Sequence, residues 1–470
     1  MCNRAIYIIL VISCFFSSAH ANLPNDFKNL LDRYNFDESS FGFAIQNLSR
    51  EDASLVKYNE ERLFNTASLV KIFSTFIALR DLGPNYKWQS SFYHKGKIEE
   101  NSLNGDLIFV GGADASFSIS NLEQMVRDLQ SNGIKKINGD LILDYSFFGE
   151  MPSIKDFDNN PLRAYNVLPN AISLQSNTIN FKFLIENNKI IIISDPNLES
   201  LSIHNNLRLS NGKCGNWKSR LTASVNQNDK KNSIKFLGGL SKRCKDKEID
   251  LGVLDNSFYF YEVFKQLWIK NGGIFEGGYQ KNYDEITNKE YLTSHSSRPL
   301  SELIRDVNKY SLNLMARNLM LTTIRENNSL KPTEDMVNIF LNEWLKKEGL
   351  SHEGLYVDNG AGLSRNIKIS VNQLLLVLQK IYNDPFMPEM IASFPIASID
   401  GTLKNKMKST KITRNGHFKT GSLKNVVGIA GFFLNEHKDM NAFVFVMNHE
   451  DAKNAQPFIR DLLDLSFFNQ

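Results

Sequence analysis

The stretch "FNTASLVKIFSTFIALRDLG", residues 64–83, constrains this chain more than any other. Asn65 or Thr66 can cap a helix, Leu69 to Leu79 is nearly all apolar, and Gly83-Pro84 supplies a stop. A helix that is apolar almost all round offers water no face, so the chain must build a core around it. That core encloses a lysine. Lys71 stands among Val70, Ile72 and Phe73, where desolvation lowers an amine's pKa from its ordinary value of about 10.4. Residues i and i+3 share a helical face, so Ser68 lies one turn away, where the helix dipole and free amides favour developing negative charge. A near-neutral lysine beside a serine hydroxyl is what a Ser-Lys nucleophile needs.

The letters SLVK also occur in "EDASLVKYNE". There an apolar-rich run, Phe41 to Leu48, meets a polar turn and a second short run, which predicts a hairpin. On a strand, i and i+3 point to opposite faces, so Ser54 and Lys57 cannot meet. They are read as strand decoration.

The chain has 470 residues, 42% hydrophobic, with net charge +3. It holds apolar material for two or three cores. A charge so near zero, with basic clusters such as "SKRCKDK" interleaved with acids, gives no reason to invoke nucleic acid. At the N-terminus, "MCNRAIYIILVISCFFSSAHA" has a basic n-region, an apolar run and a small-x-small site at Ala19–Ala21, the pattern of a secretory signal cut after Ala21. A second reading takes Val11–Cys14 as a lipobox with Cys14 acylated. No later stretch is apolar long enough to cross a membrane, so a secreted, periplasmic protein with at most peripheral membrane contact is expected. Removing the signal leaves Cys214 and Cys244, and two cysteines in an oxidising compartment predict a structural disulfide.

Two more motifs follow. "NKYSLNLMARNL" supplies Ser311 and Asn313 within a helix-like segment expected from Pro299 to Thr323. "HFKTGSLKNVVGIAGFFL" supplies Lys419, Thr420 and Gly421 on the edge strand of an antiparallel meander, with Gly421 allowing close approach of a substrate backbone. S-x-x-K, then S-x-N, then K-T-G, in that order and each on suitable backbone, is a strong combined signal. No histidine sits in H-E-x-x-H spacing and no G-x-S-x-G elbow occurs, so zinc-peptidase and α/β-hydrolase readings lose their motifs. No metal or cofactor is expected. His417, two residues before Lys419, is read as a surface histidine near the cleft.

With these motifs the chain resembles the D-alanyl-D-alanine carboxypeptidase/endopeptidase family, the low-molecular-mass class C penicillin-binding proteins. "SRPLSELIRDVNKYSLNLMARNL", "DNGAGLSRNIKIS", "SIDGTLKNKM" and "HFKTGSL" match its later blocks. "GGADASF" departs from the family's G-G-G-D-P, and Ser422 stands where Thr is commoner. The resemblance implies an α/β (α+β) serine acyl-transferase domain of the penicillin-binding/β-lactamase-like kind, its antiparallel sheet flanked by helices, with inserted β-rich domains. The implied substrates are peptidoglycan stem peptides, and β-lactams are the implied inhibitors. Ser68 would attack, Lys71 take its proton, Ser311 relay it, and Asn313 bind the substrate backbone. The amides of Ser68 and Ser422 would form the oxyanion hole. Lys419 and Thr420 would bind the terminal carboxylate, with Arg365 a candidate for a second one.

From Ser68 to Ser311 the chain runs 243 residues, more than an acyl-transferase domain needs between those motifs. The expected division is a signal at 1–21, a peptidase domain at 22–87 and 256–470, a β-rich second domain at 88–166 and 246–255, and a nested third at 167–245. A β-lactamase would be more compact, and a transpeptidase differs only in what resolves the acyl-enzyme. A non-catalytic wall-binding scaffold on this fold is the alternative of another class.

Overall fold

The computed structural model describes residues 23–50, 55–151, 157–228, 231–328 and 331–468. The signal, Cys14 and Ser54 lie outside them.

Val426–Leu434 and Met440–Asn448 are apolar almost throughout, the pattern of strands covered on both faces. They sit inside a five-stranded antiparallel sheet ordered 416–423, 426–434, 440–448, 41–47, 55–58. Alternation divides their side chains between two cores. Ala442, Val444 and Val446 face a cluster holding the helices Val70–Leu82, Asn313–Asn328 and Val371–Tyr382. Phe443, Phe445 and Met447 face the terminal helices Asn25–Tyr34 and Gln456–Phe468, through Phe27, Phe458 and Leu462. Helices therefore flank the sheet on both sides, as the resemblance implied. Strand 55–58 pairs with 41–47 as the expected hairpin, and Lys57 on it donates to Asn372 Oδ1 at 2.9 Å.

Between the first and second motifs lie two further bodies. A seven-stranded sheet is built on the hairpin Gln89–Glu99/Ser102–Val110. The helices Ile119–Ser131 and Asn256–Lys270 pack with it in one apolar cluster, through residues such as Phe92, Phe109, Val126, Phe260 and Phe264. Next come two three-stranded sheets, 201–210/231–241/221–228 and 247–251/179–186/189–195. They stack face to face, with Phe181 and Phe183 against Phe236, at 5.1 and 5.4 Å between ring centroids. Cys214 and Cys244 are bonded here.

Two boundaries differ from expectation. Residues 256–296, assigned to the peptidase domain, build the second body: strands 274–275 and 279–282 pair parallel with 136–137 and 141–144, and 290–296 pairs with 89–99. Residues 247–251, assigned to the second body, pair with 179–186 in the third. Parallel or antiparallel, each of these pairings joins strands far apart in the chain, so no turn signal announces it in the sequence. Among the described residues no helix is long and apolar enough to cross a membrane.

Candidate active site

The helix expected around Lys71 is there, with one refinement. Ala67–Leu69 forms a 3-10 turn that runs into the α-helix Val70–Leu82. Asn65, not Thr66, caps the turn, its Oδ1 accepting from the Ala67 amide at 3.0 Å. Two glycines let neighbouring segments crowd this turn. A Cβ on Gly421 would come within 2.4 Å of the Thr66 carbonyl oxygen, and one on Gly362 within 2.0 Å of that of Ala67. The close approach expected of Gly421 is thus made by the protein's own serine turn.

Lys71 is fully buried. Its Nζ lies 2.9 Å from Ser68 Oγ, 2.8 Å from Asn313 Oδ1 and 2.6 Å from the Ala361 carbonyl oxygen. Burial, reinforced by the positive charges of Lys419 and Arg317, pushes its pKa well below the ordinary lysine value. A neutral amine has two hydrogens and one lone pair. The two carbonyl oxygens, Asn313 Oδ1 and Ala361 O, accept only, so they take the two hydrogens and leave the lone pair for the Ser68 hydroxyl. Loop 359–363, which brings Ala361, is shaped by Asn359, whose Oδ1 accepts from the amides of Ala361 and Leu363 at 3.1 and 3.2 Å.

The segment Pro299–Thr323 is not one helix. Leu300–Tyr310 ends at Ser311, which adopts a left-handed conformation (φ 59°), and a new helix starts at Asn313. On an unbroken helix residues i and i+2 point about 200° apart, and Ser311 and Asn313 could not serve one site. The break lets them converge: Asn313 meets Lys71, and Ser311 Oγ accepts from Lys419 Nζ at 3.0 Å.

Lys419 is fully buried and also donates to the Thr420 carbonyl at 2.8 Å. Burial, then the charge of Lys406, lowers its pKa to about 7. Thr420 Oγ1 lies 2.7 Å from Thr402 Oγ1. The turn bearing Thr402 is anchored through Asp400, which accepts from the buried Lys309 Nζ at 2.5 Å. Lys309 stands two residues before Ser311 and Asp400 two before Thr402, so one ion pair ties both sides of the site.

A cleft of about 580 Å³ opens over Ser68, lined also by Asn313, Arg365, Ser422, Phe157 and Tyr165. Arg365 Nη1 donates to the Lys424 carbonyl at 2.8 Å, and its guanidinium lies 4.9 Å over the Phe157 ring. Phe157 and Tyr165 were not foreseen. They belong to a segment from the insert, knitted by Tyr165 OH and Asn166 Nδ2 donating to Asp158 at 2.6 and 3.0 Å, and the Tyr165 carbonyl accepts from Asn313 Nδ2 at 3.2 Å. Arg317 was also missed; it pairs with Glu334 beneath the site, Nε to Oε1 2.7 Å. His417 is half-buried rather than on the surface, because its Nδ1 donates to the Ile391 carbonyl at 3.0 Å.

The arrangement is a dry serine–amine pair, a second serine–amine pair nearby, and an open cleft over Ser68. That is the equipment of acyl transfer through a covalent intermediate. Comparison with known proteins agrees. The profile described as "D-Ala-D-Ala carboxypeptidase 3 (S13) family" matches residues 25–465. "D-alanyl-D-alanine carboxypeptidase DacB" of Haemophilus influenzae is 26% identical over 415 residues, covering 87% of this chain and 85% of that one. The crystal structure of penicillin binding protein 4 (dacB) from Haemophilus influenzae superposes with a TM-score of 0.80 at 24% identity, over 94% of this chain and 99% of that one. The same protein in complex with a β-lactam gives 0.77 at 23% identity, with the same coverage.

Proposed function

The chain belongs to the D-Ala-D-Ala carboxypeptidase 3 (S13) family, and from that premise we propose that Ser68 is the nucleophile of a D,D-peptidase acting on peptidoglycan stem peptides outside the cytoplasm. One observation carries the assignment: the wholly buried Lys71 amine lies 2.9 Å from Ser68 Oγ, and its other two partners are carbonyl oxygens that can only accept.

Ser68 Oγ attacks the carbonyl carbon of the penultimate D-Ala, and its proton passes to the Lys71 lone pair. The amides of Ser68 and Ser422 receive the oxyanion. The C–N bond then breaks, and the departing amine takes a proton through the Ser311 hydroxyl, which Lys419 polarises. Thr420, with Lys419 behind it, receives the terminal carboxylate, and Arg365, held against Lys424, offers a second carboxylate contact. Water then opens the ester at Ser68. A D-Ala to diamino-acid cross-link presents the same acyl group, so endopeptidase cleavage uses the same steps. A β-lactam acylates Ser68 and is released slowly.

Labelling with a fluorescent penicillin tests the assignment. Ser68→Ala should abolish labelling, and Ser54→Ala should leave it unchanged; equal labelling of the two variants refutes the nucleophile. Release of D-alanine from a pentapeptide, set against cleavage of a cross-linked dimer, separates the two activities.

A further inference from the structure

The sandwich of the third body is closed along one seam and open along the other. At the closed seam, strands Leu201–Ser210 and Lys189–Asp195 meet, and Asn205 Nδ2 donates to the Ile190 carbonyl at 2.7 Å. At the opposite seam stand the two outermost strands, Leu221–Asn228 and Lys247–Leu251. Between them lies a groove of about 620 Å³. Leu221, Ala223 and Val225 turn inwards, half-buried, while Thr222 and Ser224 are exposed. Ile249 and Leu251 line the other wall. Apolar interior of the sandwich is thus left open between two strand edges.

Three features say what fits there. An outermost strand offers main-chain donors and acceptors to a newcomer, and strand 221–228, beside an apolar floor, suits an extended peptide added as a strand. The groove carries cations and no acid: Arg163 and Lys218 both line it, Arg163 Nη2 donating to the Lys218 carbonyl at 3.4 Å. A carboxylate on the peptide would complement them. Finally, the groove neighbours the Ser68 cleft, Asn159 lining both. The shared wall is pinned to the sandwich, Gly252 donating its amide to the Leu162 carbonyl at 2.8 Å and Arg163 pairing with Leu251.

We propose that this seam binds the second, carboxylate-bearing peptide arm of a cross-linked substrate whose first arm lies against Ser68. The substrate class rests on the acyl-transfer reading above. The groove then favours cross-linked over single stem peptides, through binding rather than chemistry.

The test uses the full chain carrying Ser68→Ala, which cannot turn substrate over, with and without Lys218→Glu. Calorimetry measures the Kd of a cross-linked muropeptide dimer and of a short D-Ala-D-Ala tripeptide. Charge reversal should weaken the dimer about tenfold and the tripeptide less than about twofold. A dimer Kd that does not move, or an equal loss for both ligands, overturns the proposal. Ala223→Leu, which fills the seam without touching charge, should weaken the dimer in the same selective way, and unaltered dimer affinity counts against it. If the seam instead pairs two copies of this chain, Lys218→Glu changes the sedimenting mass and spares the dimer Kd, which also overturns it. Hydrolysis by the intact chain and by Ser68→Ala is measured separately, so failure of the nucleophile assignment shows as turnover by Ser68→Ala with selective binding retained.

Discussion

At the scale of single residues the site is governed by two amines held out of water. Among the described residues neither Lys71 nor Lys419 has a carboxylate partner; burial loosens each amine's hold on a proton, with the charge of Lys419 adding to the effect at Lys71 and that of Lys406 at Lys419. Lys71→Ala should lower the acylation rate by about 10²–10⁴, the usual share of a general base, measured with penicillin as the acyl donor. The pH profile has a definite sign. In the proposed mechanism Lys71 works neutral, and its pKa lies well below ordinary, so acylation should rise with pH on the acid side. Lys419 works charged with a pKa of about 7, so kcat/KM should fall as pH rises past about 7. A bound anionic substrate favours the charged form, so the alkaline limb of kcat should lie higher than that of kcat/KM. In Lys419→Arg the guanidinium does not titrate, and the alkaline limb should vanish. A limb that persists unchanged removes Lys419 from the relay.

At the scale of elements, what matters is how closely segments approach the serine turn. Gly362 has φ 76°, and an added Cβ would meet the Ala67 carbonyl oxygen at 2.0 Å. Gly362→Ala should therefore cost about 1–3 kcal/mol through left-handed strain and overpacking, read as a lower melting temperature, with slower acylation because the turn must move. Asp400→Asn should slow acylation with little change at Ser68 itself, because Lys309 loses its countercharge and Thr402 and Ser311 lose their common anchor. A melting shift with wild-type kinetics would mean the pair serves stability alone. What could be read beforehand follows from what is local. The i, i+3 pairing of Ser68 with Lys71 lies in adjacent letters on a helix whose apolar surround is equally local. The break at Ser311 was hidden, because a serine in left-handed conformation looks like any serine, whereas a glycine would have marked it. Tyr165, Ala361 and Arg317 reach the site through tertiary packing, and only the turn-rich "DNGAG" hinted that a loop of special shape was needed.

At the scale of the molecule, the insert is both appendage and partner. The third body carries the bond between Cys214 and Cys244, 30 residues apart, which chain entropy values at about 3.6 kcal/mol. Reduction should lower the melting of that body while penicillin labelling of Ser68 survives; loss of both together would show that the bodies unfold as one. Strands 274–296 were assigned to the wrong body because pairing across long stretches of chain leaves no short-range trace. The antiparallel peptidase sheet, built from tight turns and apolar runs, was plain by contrast. The site itself draws on residues as distant as Ser68, Tyr165, Ala361 and Lys419. Ser68 and Lys71 leave the ribosome within three residues of each other, yet the amine keeps its proton until strands from the last quarter of the chain have shut out water. On the proposed mechanism an unfinished copy is chemically mute, and reaction with penicillin would report that the body around Lys71 has closed.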